Sequence, residues 1–498
     1  MTRLLPNAVG RATLGAALAA ALFLSSCAPE IVEEEFSPSE SHADYVDAIE
    51  RLDLGETAIG SRWIEAGRRA VSAPVQVETP FEEVVYFDPA EPGAVSYRFQ
   101  ATRGHAVSIR IESTVDRYFA DVFRSVAEEE PALVASRPED EGSEADDSEA
   151  GGSIDRDAVM FEPRRDGEYI LRIRPELLRG GRLSVRVVAD ASLSFPVDGA
   201  GPGDIWSYFG DPRDGGARIH EGIDIFAPRG TPLLAASDSY VLRVGRRDRG
   251  GNVVVLHDRE RDLLLYYAHL DEHRAVQGSE VEAGDIVGTT GNTGNAVSTP
   301  PHLHIGIYDG SWRQALDPWD FFVGPNTEPY PIALDPEVVG AWRGVAADTS
   351  LLFAAEGPND TTVRYVNRNP FLSGAGDSLS QSDFAGEIAQ SRPAEPSETR
   401  GPIELAAGTA VRVLGGFGPY ARVRDPAGNE GFITAEALVE SGGTVRLSAG
   451  TELSHPATGD IVASLSEDST VGVVGEHRLG TIVVLSDGRA LVVEDSAG

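Results

Sequence analysis

Between positions 80 and 192 apolar and polar residues alternate with a period of two. Val95, Tyr97 and Phe99 are separated by Ser96 and Arg98, and Val107, Ile109 and Ile111 by Ser108 and Arg110. The runs Tyr169 to Ile173 and Leu183 to Val187 repeat the pattern. Successive side chains of a strand point to opposite faces, so each run has one apolar face. Several such runs separated by turn residues predict a β-sandwich over residues 80–195, interrupted at 137–157 by an acidic, Gly/Ser-rich stretch with the composition of a disordered loop. Ahead of it, Tyr45, Ile49, Leu52 and Leu54 fall at helical spacing, which places one or two short helices in an otherwise acidic tether, 28–79. Further along, Leu263 to Tyr267 is an apolar strand, and Ile223/Ile225 and Leu303/Ile305 alternate with polar residues inside a third region, 200–323. Residues 324–402 comprise a Pro-rich connection (Pro325 to Pro336), a mixed segment over 337–371 with no readable pattern, and a Ser/Gly/Pro/Glu linker from Ser373 to Pro402. Short strands and tight turns follow over 403–440, and a further all-β extension over 441–498. The pattern predicts a mainly β, multidomain protein.

Composition narrows the setting. The chain has 498 residues, enough for about three domains at ~150 residues each. Its 42 basic residues are all Arg, against 79 acidic ones, for a net charge of -37. Such a surface repels phosphate backbones, which argues against nucleic acid as a partner. Arg3 and Arg11 precede an uncharged apolar run, Ala12 to Leu24, of about 13 residues, too short to span a bilayer and of the length of a secretory signal core. It ends in Leu24-Ser25-Ser26-Cys27, which looks like a bacterial lipobox. Cys27 is the single cysteine, so no internal disulfide forms, and its expected role is lipidation after cleavage of residues 1–27. Ala28 rather than Asp follows it, which in enterobacterial-type sorting favours the outer membrane, facing the periplasm.

Candidate chemistry gathers in residues 200–323. His220 and Asp224 are four apart, His269 closes the apolar strand, and His302 and His304 are two apart. In extended chain, spacings of two and four both put side chains on one face, so these residues can aim into one groove while Leu303 and Ile305 face a core. Zinc takes imidazole nitrogen and carboxylate oxygen at ~2.0–2.1 Å, and a catalytic site uses three protein ligands and leaves a fourth place to water, whose pKa falls towards ~7. The five residues supply three ligands and two spare histidines for proton transfer and for a developing oxyanion.

Their frame is more specific than the residues. Tyr208-Phe209-Gly210, His220-Glu-Gly-Ile-Asp224, Pro228-Arg-Gly230-Thr-Pro232, Gly251-Asn252 through His257, Tyr266-Tyr-Ala-His269-Leu270, Gly284-Asp-Ile-Val-Gly288, Gly291-Asn-Thr293-Gly294, His302-Leu-His304 and Asp317-Pro318-Trp319 occur in that order. The region resembles the lysostaphin-type (LytM-like) zinc metalloendopeptidases of peptidoglycan. The resemblance implies a curved antiparallel sheet with a loop-lined groove, one Zn2+ per chain held by His220, Asp224 and His304, catalytic roles for His269 and His302, and hydrolysis of short wall peptides rich in Gly or D-Ala. Three departures stand out: the loop from Gly294 to His302 is longer than the commonest family form, Gly306 replaces a frequent Glu, and Ser239-Tyr240 replaces a usual hairpin glycine. More loosely, 80–195 resembles pre-peptidase accessory domains and 403–440 a bacterial Src-homology-3-like barrel.

The expected function is zinc-dependent cleavage of peptidoglycan peptide cross-links in wall remodelling, by a protein anchored to the membrane through Cys27, with flanking β domains offering surfaces to envelope proteins. The alternative is a non-catalytic envelope lipoprotein of the same fold, acting as a wall-binding scaffold or an activator of wall amidases. Such relatives typically lose metal ligands, whereas here all five positions are filled. His257 and the remaining histidines (42, 105, 273, 455, 477) lack a supporting frame and read as structural, and Glu221 as a solvated neighbour of the site.

Overall fold

The computed structural model describes residues 41–126, 130–137, 158–325, 328–352, 402–440, 443–456, 459–485 and 489–494, and the backbone of 354–356 and 362–364. The expected signal segment with Cys27, the acidic stretch from 138 to 157 and most of the 353–401 linker lie outside the described residues.

Helices α1 (His42–Arg51) and α2 (Ala58–Ser72) open the described chain. The Ser41 hydroxyl accepts from Asp44 N–H and the Thr57 hydroxyl from Gly60 N–H, both at 3.1 Å, satisfying otherwise orphaned helix donors. Tyr45, Ile49 and Trp63 form an apolar cluster against the sandwich, and Trp63 Nε1 donates to the Pro175 carbonyl at 2.9 Å. Leu52 and Leu54, expected on the same face, are exposed instead. The helix stops at Arg51 with Leu52 as its C-cap, and Asp53 at φ 56° turns the chain away before Leu54.

The sandwich uses β1 (Phe81–Phe87), β2 (Val95–Ala101), β3 (His105–Ser113), β4 (Tyr118–Ser125), β5 (Gly167–Pro175) and β6 (Gly181–Ala191). One sheet carries β2-β5-β4 and the other β1-β6-β3. Their inward alternate residues, among them Phe81, Tyr97, Phe99, Ile109, Leu171 and Val185, build one core.

The next sheet comprises β7 (Ile205–Ser207), β8 (Ile223–Phe226), β9 (Ser239–Arg247), β10 (Gly251–Asp258), β11 (Leu263–Leu270) and β12 (His302–Asp309). Its order is β7-β8-β12-β11-β10-β9, antiparallel throughout. Ile223, Ile225, Leu303, Ile305, Ile307, Leu265 and Tyr267 face one way, into a buried core. Their alternates Asp224, His302, His304 and Tyr266 are thereby forced to the other face. Arg261, in the β10–β11 turn, clamps the Glu162 carboxylate of the sandwich with two bonds at 2.6 and 2.7 Å.

Strands β13 (Ala410–Phe417), β14 (Tyr420–Arg424) and β15 (Glu430–Thr434) form a meander. It is continuous with the sandwich: β1 pairs with β13 through Val84–Gly416 and Val85–Gly415. Phe417 and Phe432 enter the sandwich core, Phe417 stacking on Phe81 at 5.4 Å. A separate six-stranded sheet spans residues 443–493.

Candidate active site

Cross-strand register assembles the site. Asp224 on β8 pairs directly with His304 on β12, and His304 with Ala268 on β11, one residue before His269. His220 precedes β8, and its ring folds back over the strand. Glycine at 222 lets β12 and the His304 ring come close to this segment, because a Cβ there would strike the Ile305 carbonyl and the His304 ring. His220 Nε2 stands 2.9 Å from His304 Nδ1 and 3.1 Å from Asp224 Oδ1, and His304 Nδ1 stands 3.0 Å from Asp224 Oδ1. Donors on a tetrahedral zinc at ~2.0–2.1 Å lie roughly 3.3–3.4 Å apart, so two imidazole nitrogens and one carboxylate oxygen in this triangle fit that metal with small adjustment. Among the described residues it is the one His/Asp group with donors converging in this way.

The atoms facing away from the triangle are also held. His220 Nδ1 donates to the Tyr208 carbonyl at 2.9 Å, which fixes the tautomer and frees Nε2. Asp224 Oδ2 accepts from Arg213 at 3.0 Å, and Arg213 also donates to the Ser207 hydroxyl. Burial pushes the Asp224 carboxyl up, but hydrogen bonds from His220 and His304 and their charges outweigh it and hold the group well below the usual carboxylate range. Burial pushes the His304 imidazole down, opposed by Asp224.

His269 and His302 flank the triangle. The His269 ring centroid lies 5.1 Å from that of His302 and 5.9 Å from that of His304. Nδ1 of His269 donates to the Thr293 carbonyl at 2.8 Å, and Nδ1 of His302 to the Pro300 carbonyl at 2.9 Å, so the neutral form of either ring offers Nε2 as an acceptor. Burial lowers the His269 pKa to about 4, helped by the neighbouring imidazoles and opposed by the Thr293 carbonyl and Asp224. It is therefore neutral at pH 7. His269 also sits at φ 66°, a conformation that costs a non-glycine residue ~1 kcal/mol or more, and its N–H is tied to the Gly250 carbonyl at 2.8 Å. On the other flank, exposed Trp206 stacks on Phe226 at 4.8 Å and Phe226 on His302 at 5.0 Å.

All five residues singled out from the sequence meet in this groove. His257 does not: it lies 3.4 Å from Asp262, away from the site. Glu221 points from the triangle and accepts from Tyr308 at 3.3 Å, and Gly306 leaves room for this pair. Arg213, Ser207 and the three carbonyls were not legible. Arg213 lies in a two-residue strand, Pro212–Arg213, just ahead of a glycine-rich turn and with no spacing signature, and a carbonyl has no side chain to leave one.

Residues 218–318 match the model of Peptidase family M23. The chain carries an M23 peptidase domain of the lysostaphin type. It is 35% identical over 133 residues to the L-Ala--D-Glu endopeptidase of Bacillus subtilis (strain 168), covering 25% of this chain and 38% of that one. It is 42% identical over 117 residues to the uncharacterized lipoprotein YgeR of Escherichia coli (strain K12), covering 23% and 43%. Among solved structures, the catalytic domain of lysostaphin from Staphylococcus simulans is 32% identical, over 24% of this chain and 89% of that one, with a TM-score of 0.21. The chain spans less than half the length of the curated relatives it matches.

Proposed function

We propose that this protein is a zinc-dependent endopeptidase that hydrolyses peptide cross-links of bacterial peptidoglycan. The observation carrying it is the triangle of His220 Nε2, Asp224 Oδ1 and His304 Nδ1, with two further imidazole acceptors on the same groove. His220, Asp224 and His304 would hold one Zn2+, and the ion would supply a polarised carbonyl and an acidified water. His302 and His269, each with Nδ1 committed to a carbonyl, take the proton from the attacking water at Nε2 and return it to the leaving amine. Once protonated, either can donate to the oxygen that becomes negative in the tetrahedral intermediate. Arg213 keeps the Asp224 carboxylate turned so that a single oxygen faces the histidines.

Peptidoglycan as substrate rests on the M23 match and on the named activity of the Bacillus relative. Envelope association rests on the signal-like N-terminus and the likeness to YgeR, a lipoprotein by name. Lipid attachment at Cys27 belongs to the same proposal, and Cys27→Ser should move the protein from the detergent phase to the aqueous phase on partitioning. The remaining segments are proposed as accessory regions, 80–195 and 403–440 among them. Purified sacculi incubated with the zinc-loaded chain should release new amino termini, and the His302→Ala chain should release none while retaining its zinc. Release by neither protein, with zinc bound to both, would return the reading to a wall-binding scaffold.

A further inference from the structure

The face bearing the histidines continues across the sheet to β9. Ala268 pairs with His304, Tyr266 with both Gly306 and Val255, and Val255 with Arg243. Paired residues share a face, so Arg243 projects from the His304 side, and so does Arg247, opposite Gly251. The alternate pair Val244–Val254 packs into the core beneath. Arg249 follows in the turn, next to Gly250, whose carbonyl holds the His269 N–H. These three arginines line one open recess of about 800 Å³ with Gln277, Tyr266 and Trp312. Tyr266 forms the wall shared with the active site, its ring centroid 6.2 Å from His304 and 6.3 Å from Trp312. Trp312 is 46% exposed, braced by Tyr308 at 4.9 Å.

The charge in this recess is out of keeping with the rest of the molecule. Acidic residues outnumber basic ones 79 to 42, and several arginines of the same region, Arg213, Arg218, Arg229, Arg259, Arg261 and Arg274, each pair with a carboxylate. Among the described residues, no carboxylate pairs with Arg243, Arg247 or Arg249. Guanidiniums that line one recess repel one another, and an anion between them relieves that repulsion. A guanidinium matches a carboxylate with two parallel N–H donors, and an aromatic wall excludes water from the contact.

We infer that this recess is a subsite of the groove that binds a carboxylate of the peptide being cut. The inference rests on the peptidase reading and deepens it: the substrates are acidic stem peptides, with free glutamyl or diamino-acid carboxylates, rather than neutral oligoglycine bridges. Uncut binding is measured by titration calorimetry with the zinc-loaded, full-length His302→Ala chain. The probes are two synthetic stem peptides of one sequence, one with free carboxylates and the other amidated. Charge-assisted bonds of ~1.5–3 kcal/mol predict about ten- to hundredfold tighter binding of the acidic peptide, weakening steeply with added salt. Adding Arg243→Gln and Arg247→Gln should bring the acidic peptide to the affinity of the amide and leave the amide unchanged. Equal affinities for the two peptides, or binding of neither, overturns the subsite. The salt dependence of the His302→Ala chain alone decides the matter if the triple variant does not fold. Hydrolysis of both peptides by the unaltered chain is scored separately. Selective binding without hydrolysis sinks the peptidase reading alone, and hydrolysis without selectivity sinks the subsite alone.

Discussion

Each imidazole of the site has one nitrogen occupied by a backbone carbonyl or by the triangle, which under the proposed function would divide metal holding from proton handling. Asp224→Ala removes one of three donors, and His220 with His304 should then fail to retain zinc through dialysis. His269→Ala leaves the triangle intact, so it should keep its zinc and lose rate by ~10²-fold or more, the usual weight of general acid–base work. Metal content measured on both variants tests the division, and equal loss from the two contradicts it. Arg213 makes a finer case. It touches no donor of the triangle but holds the outer oxygen of Asp224 at 3.0 Å. Partners of metal ligands are commonly worth 10–100-fold in metal affinity, so Arg213→Gln should weaken zinc binding by about tenfold or more in a chelator competition. Unchanged affinity would mean that β8 alone orients the carboxylate. The five site residues were legible because imidazole and carboxylate chemistry at spacings of two and four, in a recurring frame, leaves few readings. What orients them was not, since Arg213 and the carbonyls of Tyr208, Thr293 and Pro300 act through chain geometry that the residue order does not encode locally.

Among the elements, the strands of the sandwich and of the active-site sheet were readable because every second residue is buried, and a slip by one would turn the core outward. The helical segment was read correctly in kind but not in its face, because the helix ends at Arg51, leaving Leu52 at its cap, and Asp53 at φ 56° breaks the period before Leu54. How α1 docks depends on a group whose role emerged only in three dimensions. His42 stacks on Trp63 at 5.6 Å and meets Phe119 edge-on at 5.4 Å. Its Nε2 lies 3.1 Å from the Arg174 guanidinium, which can only donate, so His42 must accept and be neutral. Burial, with Arg172 and Arg174 adding to it, pushes the His42 pKa down to about 2 from an ordinary value near 6.5. The detached helix takes up a proton near 6.5 and the docked one does not, so docking is at full strength above that pH. It weakens as pH falls, by up to ~1.4 kcal/mol per unit, until the docked form also protonates near 2. Amide exchange in α1, corrected for intrinsic rates, should therefore accelerate between pH 7 and pH 5. His42→Phe, which keeps the stacking and cannot protonate, should abolish that slope, and a slope that survives it would place the titration elsewhere.

At the scale of the whole molecule, the sandwich and the C-terminal meander share a sheet and a core although some 330 residues separate Val84 from Gly416. No local pattern announces such pairing, since each strand reads the same whether its neighbour is close or distant in sequence. A buried ion pair marks the junction. Glu83 on β1 lies 3.2 Å from Arg422 on β14, both side chains about 5% exposed, and burial pushes the Glu83 carboxyl up while Arg422 pulls it down. Removing one partner strands a buried charge, so Glu83→Ala should cost ~3–5 kcal/mol in urea unfolding, whereas Glu83→Leu with Arg422→Met should cost far less. The same junction decides what truncation does. A chain ending at residue 402 loses the partner of β1 on one edge and loses Phe417 and Phe432 from the sandwich core, while the core beneath the histidines draws on residues 193–323 alone. Large aromatic deletions from a core typically cost 3–5 kcal/mol each, so β1 and β6 should exchange their amides fast in the truncated chain while β8, β11 and β12 stay protected. Zinc affinity, whose proposed donors and Arg213 all lie between residues 213 and 304, should be unchanged. Continued protection of β1 after truncation would mean that the sandwich closes its own edge without the meander, and that the shared sheet contributes position rather than stability.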